Sequence, residues 1–457
     1  MNEHTVDVVV LGMGPGGEAV AGSLAEAGLV VVGVDELLVG GECPYWGCVP
    51  TKMMIRAAHL LAEARRIPGM AGAAEVTPDW APVAQRIRDE ATDDWDDRAA
   101  VERFEAQGGR FVRGSGRLVA RDAVAVDGDV YRARRGVVVA TGTTPAVPPI
   151  PGLADLPYWT NHQIVEAKEL PASLVVLGGG AIGAELAQVM VRFGVRVTVV
   201  EALERLVPPE EPEAGELLAE VFAGEGIAVR TGAKATEVRR GGDGFEVMLD
   251  GGDVVTGEQL LIATGRRTDL PAINAGVLGI DPDARFLSID GRGRVTDGVW
   301  AVGDVTGVGA FTHVATHQAR IAADDIVGKP TGGANDTAVP RVTFTDPEIG
   351  SVGLTQQSAR ESGRRVRVGT TMLPSSARGW IHKAGNEGFV KLVEDVDAGV
   401  LIGATCMGPA GGEVLSMLTL AVHAKVPVDR LADMIYAYPT FHRAVSDAVA
   451  DLRSSGD

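Results

Sequence analysis

The stretch GGECPYWGCVPTK, residues 40 to 52, sets Cys43 and Cys48 five positions apart, behind a pair of glycines and ahead of Lys52. Two thiols at short spacing can ligate a metal, staple a loop or carry electrons as a disulfide. The chain holds three cysteines in all, and its N-terminal MNEHTV runs straight into the apolar VDVVVLG with no signal pattern. Both features are expected of a protein kept in the reducing cytoplasm, where structural disulfides are uncommon. A cysteine pair retained there points to chemistry.

Positioning such a pair takes a scaffold. The 457 residues correspond to roughly three domains, and their 46% hydrophobic content supplies large cores without staples. A net charge of −19 argues against nucleic acid or an anionic membrane as partner. Apolar runs such as LVVVGV before Asp35 and SLVVLGG around Val176 are too short to span a bilayer and read as buried parallel strands. The acidic run DEATDDWDD, residues 89 to 97, reads as a solvated helix face.

The strongest pattern is an internal repeat. VDVVVLGMGPGGEAVAGSLAEAGLVVVGVDE carries Gly12, Gly14 and Gly17, and LVVLGGGAIGAELAQVMVRFGVRVTVVEA carries Gly178, Gly180 and Gly183. Each G-x-G-x-x-G lies between a strand-like and a helix-like run, and an acid, Asp35 or Glu201, follows the first glycine by 23 positions in both copies. This is the dinucleotide-binding unit: a tight turn, a close backbone approach to a pyrophosphate, a close helix–strand contact, and an acid for the ribose. The phosphates face the helix N-terminus, whose free N–H groups and dipole favour negative charge. Two units in one redox chain imply FAD and a nicotinamide. Glu201 would repel the 2′-phosphate of NADPH and accept from the free 2′-hydroxyl of NADH, so NADH is expected, with Arg205 leaving room for NADPH.

With these pieces in order the chain resembles the flavin-dependent pyridine nucleotide-disulfide reductases, the family of dihydrolipoyl dehydrogenase, glutathione reductase and mercuric reductase. The likeness continues through GVVVATGTTP (136–145, with Thr141 and Gly142), LLIATGRRTDL (260–270, with Gly265), VWAVGDVTG (299–307, with Gly303 and Asp304) and VPRVTFTDPEIGSVGLT (339–355). It implies an α/β fold of two Rossmann-like dinucleotide-binding domains plus an α/β C-terminal dimerisation domain, hence a homodimer. The expected layout is an FAD-binding part at 1–148, an NAD-binding domain at 149–271, a second FAD-binding part at 272–338 and the dimerisation domain at 339–457. PAVPPIPG, at 145–152, reads independently as a linker, because proline extends neither helix nor central strand. EGFVKLVED and AGVLIGATCMG read as paired strands before a helical MLTLAVHAKV.

By this resemblance the cysteines form a redox-active disulfide that opens a helix, and Cys48, near the helix N-terminus, is the thiolate that faces the flavin. A metal is not expected, since two sulfurs without a nearby histidine make half a tetrahedral shell. Cys43 becomes the exposed thiol that meets substrate. Lys52, one turn beyond Cys48, pairs with a carboxylate that follows the second glycine motif, here Glu185. Gly41, Thr141, Gly142, Gly265 and Gly303 join the glycine turns as cofactor contacts, and Asp304 bonds the ribityl chain. Cys406, in an apolar run, reads as a small core residue.

The C-terminal segment departs from the family. Disulfide-reducing members carry His-Pro-Thr and, three residues on, a glutamate; AYPTFHRAV has Tyr438 and Arg443 at those places. Oxidising a dithiol needs a group that accepts its proton near neutrality, and tyrosine, with a pKa near 10, donates instead. Reduction of a disulfide-type or other small acceptor is therefore expected. The alternative is direct reduction of quinones or electrophiles with the cysteines inessential. His442 could stand in as the base if the segment from Pro439 is helical, which would put it on one face with Tyr438. Tyr45 and Trp46 either line a site for a flat substrate or pack against a neighbour; Trp380 and His382 remain unassigned.

Overall fold

A computed structural model describes residues 2–242, 244–281, 283–333 and 336–454. The chain divides into two compact units. The first comprises Met1–Thr51, Gln85–Ala146 and Arg266–Asp336, the second Lys52–Ala84, Val147–Gly265 and Thr337–Asp457.

In the first unit a sheet runs in the order Arg294–Thr296, Val299–Ala301, Asp129–Val139, Glu3–Leu11, Val31–Asp35, Arg110–Arg113. The last five of these strands are parallel, with Val8 opposite Val31 and Leu11 opposite Val139. Both faces are covered, which is why the apolar runs are continuous. Strand alternation sends Val8 and Val10 to a core shared with Val20 and Leu24 of helix Pro15–Glu26 and with Ala319 and Ala322 of helix Thr312–Ile326. Val9 and Leu11 point the other way, to a core closed by Leu118 and Val124 of the antiparallel hairpin Gly116–Ala120 and Ala123–Val126.

The second unit holds a four-stranded parallel sheet, Ala228–Arg230, Arg196–Val200, Ser173–Leu177, Gln259–Ile262, with helix Ala181–Arg192 after its glycine turn. It also holds a five-stranded antiparallel sheet in which Phe389–Asp395 pairs with Val400–Gly408, the two strands expected from their alternation. Helices Gly411–His423 and Arg443–Ser454 share the core of that sheet, in which Cys406 is 2% exposed. Burial pushes the Cys406 thiol up to about 12, in keeping with a core residue.

Two expectations fail. The acidic run is not a plain helix face: a π-helical turn, Ile87–Ala91, gives way to Asp93, Asp94 and Trp95 in left-handed backbone, and Asp97 is buried. Tyr438 and His442 do not share a helical face, because the helix begins only at Arg443. Pro439 lacks an N–H, Tyr438 before it is biased to extended backbone, and the Thr440 hydroxyl bonds the Ala437 carbonyl at 2.7 Å, so the segment closes as turns. Among the described residues no helix is long and apolar enough to cross a membrane.

Candidate active site

The two glycine turns are near copies in three dimensions. A Cβ on Gly12 would lie 2.5 Å from the Ala140 carbonyl oxygen, and one on Gly178 would lie 2.3 Å from that of Ala263. Each of those alanines opens an Ala-Thr-Gly, with Thr141 and Gly142 in one copy and Thr264 and Gly265 in the other. The third glycines, Gly17 and Gly183, leave no room either: their Cβ atoms would meet the carbonyl oxygens of Gly12 and Gly178. Both first glycines have positive φ, so backbone and packing alike demand the residue.

The middle glycines differ. A Cβ on Gly14 would touch nothing nearer than 4.0 Å, and one on Gly180 nothing at all within that radius. Their backbones are extended, a conformation open to any residue. Nothing in the polypeptide requires glycine there, whereas a pyrophosphate approaching the backbone does. Gly14 and Gly180 are also the N-cap residues of twelve-residue helices with no side-chain cap, leaving first-turn N–H groups for a phosphate. The residues present therefore fit a dinucleotide in each copy.

The acids match in the same way. Asp35 accepts the Met13 amide at 2.6 Å and the Leu37 amide at 2.8 Å; Glu201 accepts those of Gly179 at 2.7 Å and Leu203 at 2.8 Å. Burial pushes the Asp35 carboxyl up, and these amides work against that shift. Arg205 donates to the Pro208 carbonyl at 2.9 Å.

Gly41 packs against the first turn, where a Cβ on it would be 2.8 Å from the Gly14 Cα. The next residues form the short helix Glu42–Tyr45 that carries Cys43, and Cys48 is the first residue of helix Cys48–Arg66. Cys43 and Cys48 are both thiols, joined by a side-chain hydrogen bond, and that bond, with burial, raises the Cys43 thiol well above its ordinary value. Cys48 Sγ lies 3.5 Å from Thr312 Oγ1. Cys43 is half-buried within the short helix, and Cys48 stands exposed at the start of the long one. Tyr45 is 6% exposed and packs against Gly40, which favours its packing role over a substrate surface.

Lys52 and Glu185 meet as expected, Nζ to Oε2 at 2.9 Å. Glu185 is buried, and its Oε1 accepts the Phe344 amide at 2.8 Å, while the Phe344 ring centroid lies 4.7 Å from Lys52 Nζ. Asp304, after Gly303, accepts the Thr143 hydroxyl at 2.9 Å, and Arg266 donates to that hydroxyl at 2.8 Å. Burial pushes the Asp304 carboxyl up, with Thr143 and Arg266 opposing it.

Several neighbours had no signal in the sequence. Thr143, Arg266, Thr312 and Phe344 are brought to these places from distant segments. Asp97, inside the acidic run, accepts the Val39 amide at 2.7 Å and pairs with Arg113, so it holds the loop that leads to Cys43. Tyr438 is 73% exposed and Trp380 76% exposed; the His382 ring meets Phe441 edge-on at 5.6 Å.

Two uncapped glycine turns, each with an acid at the end of the following strand, and a dithiol at a helix start are the features of a redox enzyme for two dinucleotides. The sequence model of the pyridine nucleotide-disulphide oxidoreductases matches residues 6–319, and that of the family's dimerisation domain matches residues 339–449. The chain belongs to this family and is an FAD-dependent NAD(P)H disulfide oxidoreductase. The dimerisation domain supports a homodimer. It is 33% identical to a dihydrolipoyl dehydrogenase of Chlorobaculum tepidum, covering 98% of each chain, and 33% identical to a mercuric reductase of Shigella flexneri, covering 94% of this chain and 78% of the other. Among solved structures it is similar to LpdA from Mycobacterium tuberculosis, with TM-score 0.85, 27% identity and coverage of 98% and 99%. It is also similar to RclA, a HOCl-induced flavoprotein disulfide reductase from Escherichia coli, with TM-score 0.84, 26% identity and the same coverage.

Proposed function

We propose that the enzyme works as an NADH-dependent reductase, sending electrons from NADH through FAD to the Cys43–Cys48 disulfide and on to a disulfide-type or other small acceptor. Bound FAD would supply the two-electron relay between the nicotinamide and the disulfide. With one proton, the two electrons break the S–S bond to a Cys43 thiol and a Cys48 thiolate. Cys48 carries the charge because it opens a long helix whose dipole stabilises an anion, while Cys43 keeps the proton and donates it toward Cys48. As the proton passes to Cys48, Cys43 attacks an acceptor disulfide and expels one thiolate; Cys48 then resolves the mixed disulfide, restoring the S–S bond and releasing the second thiol.

Gly12, Gly14, Gly17, Asp35 and Asp304, with Gly41, Thr141, Gly142 and Gly303, would hold FAD. Gly178, Gly180, Gly183, Glu201 and Gly265 would hold NADH, Glu201 disfavouring the 2′-phosphate of NADPH. Glu185 holds the Lys52 ammonium in place one helical turn beyond Cys48. Tyr438 serves as proton donor, and His442 is left without the helical face that would align it.

The observation that carries the reductive direction is the pair Tyr438 and Arg443 where disulfide-reducing members of the family have histidine and glutamate. The Cys43→Ser variant tests the route. Turnover of disulfide acceptors should fall by about two orders of magnitude or more; full retention would leave only direct reduction of quinones or electrophiles.

A further inference from the structure

Three polar side chains line the buried face of helix Ala181–Arg192: Glu185, Gln188 and Arg192, exposed by 6%, 2% and 2%. Their spacing places them on one side of the helix, and polar groups buried so fully must find partners. All three find them in one segment, Phe344 to Asp346. Glu185 accepts the Phe344 amide. The Gln188 side chain accepts the Asp346 amide and donates to the Asp346 carbonyl, both at 2.8 Å. Arg192 Nη2 donates to Asp346 Oδ2 at 2.8 Å.

The cysteine helix reaches the same atom. Arg66, fourteen residues after Lys52 and so nearly on the same face, donates from Nη2 to Asp346 Oδ2 at 2.8 Å. Burial works to raise the Asp346 carboxyl, but Arg192 and Arg66 outweigh it and hold the group below its ordinary value, so it is charged. The two helices are thus tied at two places, Lys52 to Glu185 and Arg66 through Asp346 to Arg192.

We propose that Asp346 is a positioning residue for the Lys52–Glu185 pair: it fixes the register of the two helices and seats the Phe344 amide on Glu185. This rests on the assignment of that pair to the active site. The arginines would not be stripped bare without it, since Arg192 also bonds Glu225 and Arg66 also bonds Glu63, so substitution at Asp346 should leave a folded protein.

The test reads the state of the Lys52 amine and needs no turnover. Holoenzyme is acetylated under limiting reagent and the modification of Lys52 is measured by peptide mass spectrometry against Lys329 in the same sample. In Asp346→Ala the Lys52/Lys329 ratio should rise by about tenfold, and Asp346→Asn, which keeps an acceptor, should restore most of the protection. A general loss of structure would show as a lowered thermal midpoint and lost flavin, because Lys329, its side chain 68% exposed, already reacts in the folded protein. An unchanged ratio in a folded Asp346→Ala protein overturns the proposal. Should that variant fail to fold, Arg66→Gln, which cuts the tie from the more exposed side, must raise the ratio, and an unchanged value there overturns it equally. A failure of the electron-transfer assignment would instead show as normal flavin reduction in Lys52→Met, with the acetylation result intact.

Discussion

Lys52 and Glu185, 133 positions apart in the chain, form a 2.9 Å ion pair in which the glutamate is buried and the lysine side chain is 36% exposed. Removing the lysine leaves a buried charge whose remaining hydrogen bond among the described residues is the Phe344 amide. Lys52→Met should destabilise the protein by about 1–3 kcal/mol, less than for a fully buried pair because water reaches the lysine side chain. Glu185→Gln in that background should recover part of the loss. Thermal midpoints of the two single variants and the double variant check this; simple additivity would show that the pair is not coupled.

The glycine turns separate packing from ligand binding. Gly17→Ala puts a methyl 1.9 Å from the Gly12 carbonyl oxygen and should abolish folding. Gly14→Ala has room and should fold, with FAD affinity reduced by about tenfold or more. Gly180→Ala should keep its FAD and lose NADH affinity to a similar degree. Reconstitution of the apoprotein and nucleotide titration measure both, and unchanged affinities would remove the middle glycines from the cofactor sites.

Much of this was legible in the sequence because it was local or repeated. Two glycine turns with equally spaced acids, and a lysine one turn after a cysteine, announce their geometry through helix and strand periods. Phe344 and Asp346 did not, because their partners Glu185, Gln188 and Arg192 lie more than a hundred residues away. Asp97 was misread for a different reason: a solvated acid and an acid that clamps Val39 look alike in a run of aspartates. Tyr438 and His442 have helical spacing, yet Pro439 keeps the helix from starting until Arg443.

Nucleotide choice should follow Glu201. Glu201→Gln removes the charge while keeping an acceptor for the neighbouring amides, so NADPH should gain on NADH by about tenfold in the ratio of kcat/KM values. An unaltered ratio would assign the preference elsewhere.

His59 gives a pH dependence of stability. Burial lowers its pKa from the usual 6.5, partly offset by Asp346 and reinforced by Arg192, Arg66 and Arg56. The unfolded chain then binds a proton more readily than the folded one. Stability from keeping this group neutral is complete above pH 6.5 and is lost as pH falls from there through the folded-state value. The thermal midpoint should therefore drop more steeply between about pH 7 and pH 5 in the parent than in His59→Gln. Parallel profiles would mean that His59 titrates alike in both states.

The central claim is that Cys43 and Cys48 stand between the flavin and the acceptor, and anaerobic titration of the oxidised enzyme with NADH tests it most directly. The expected course is uptake of two electrons per subunit with the flavin still yellow and a long-wavelength thiolate-to-flavin band growing in, a band that Cys48→Ser should lack. Bleaching of the flavin with the first equivalent of NADH, and no such band, would contradict it.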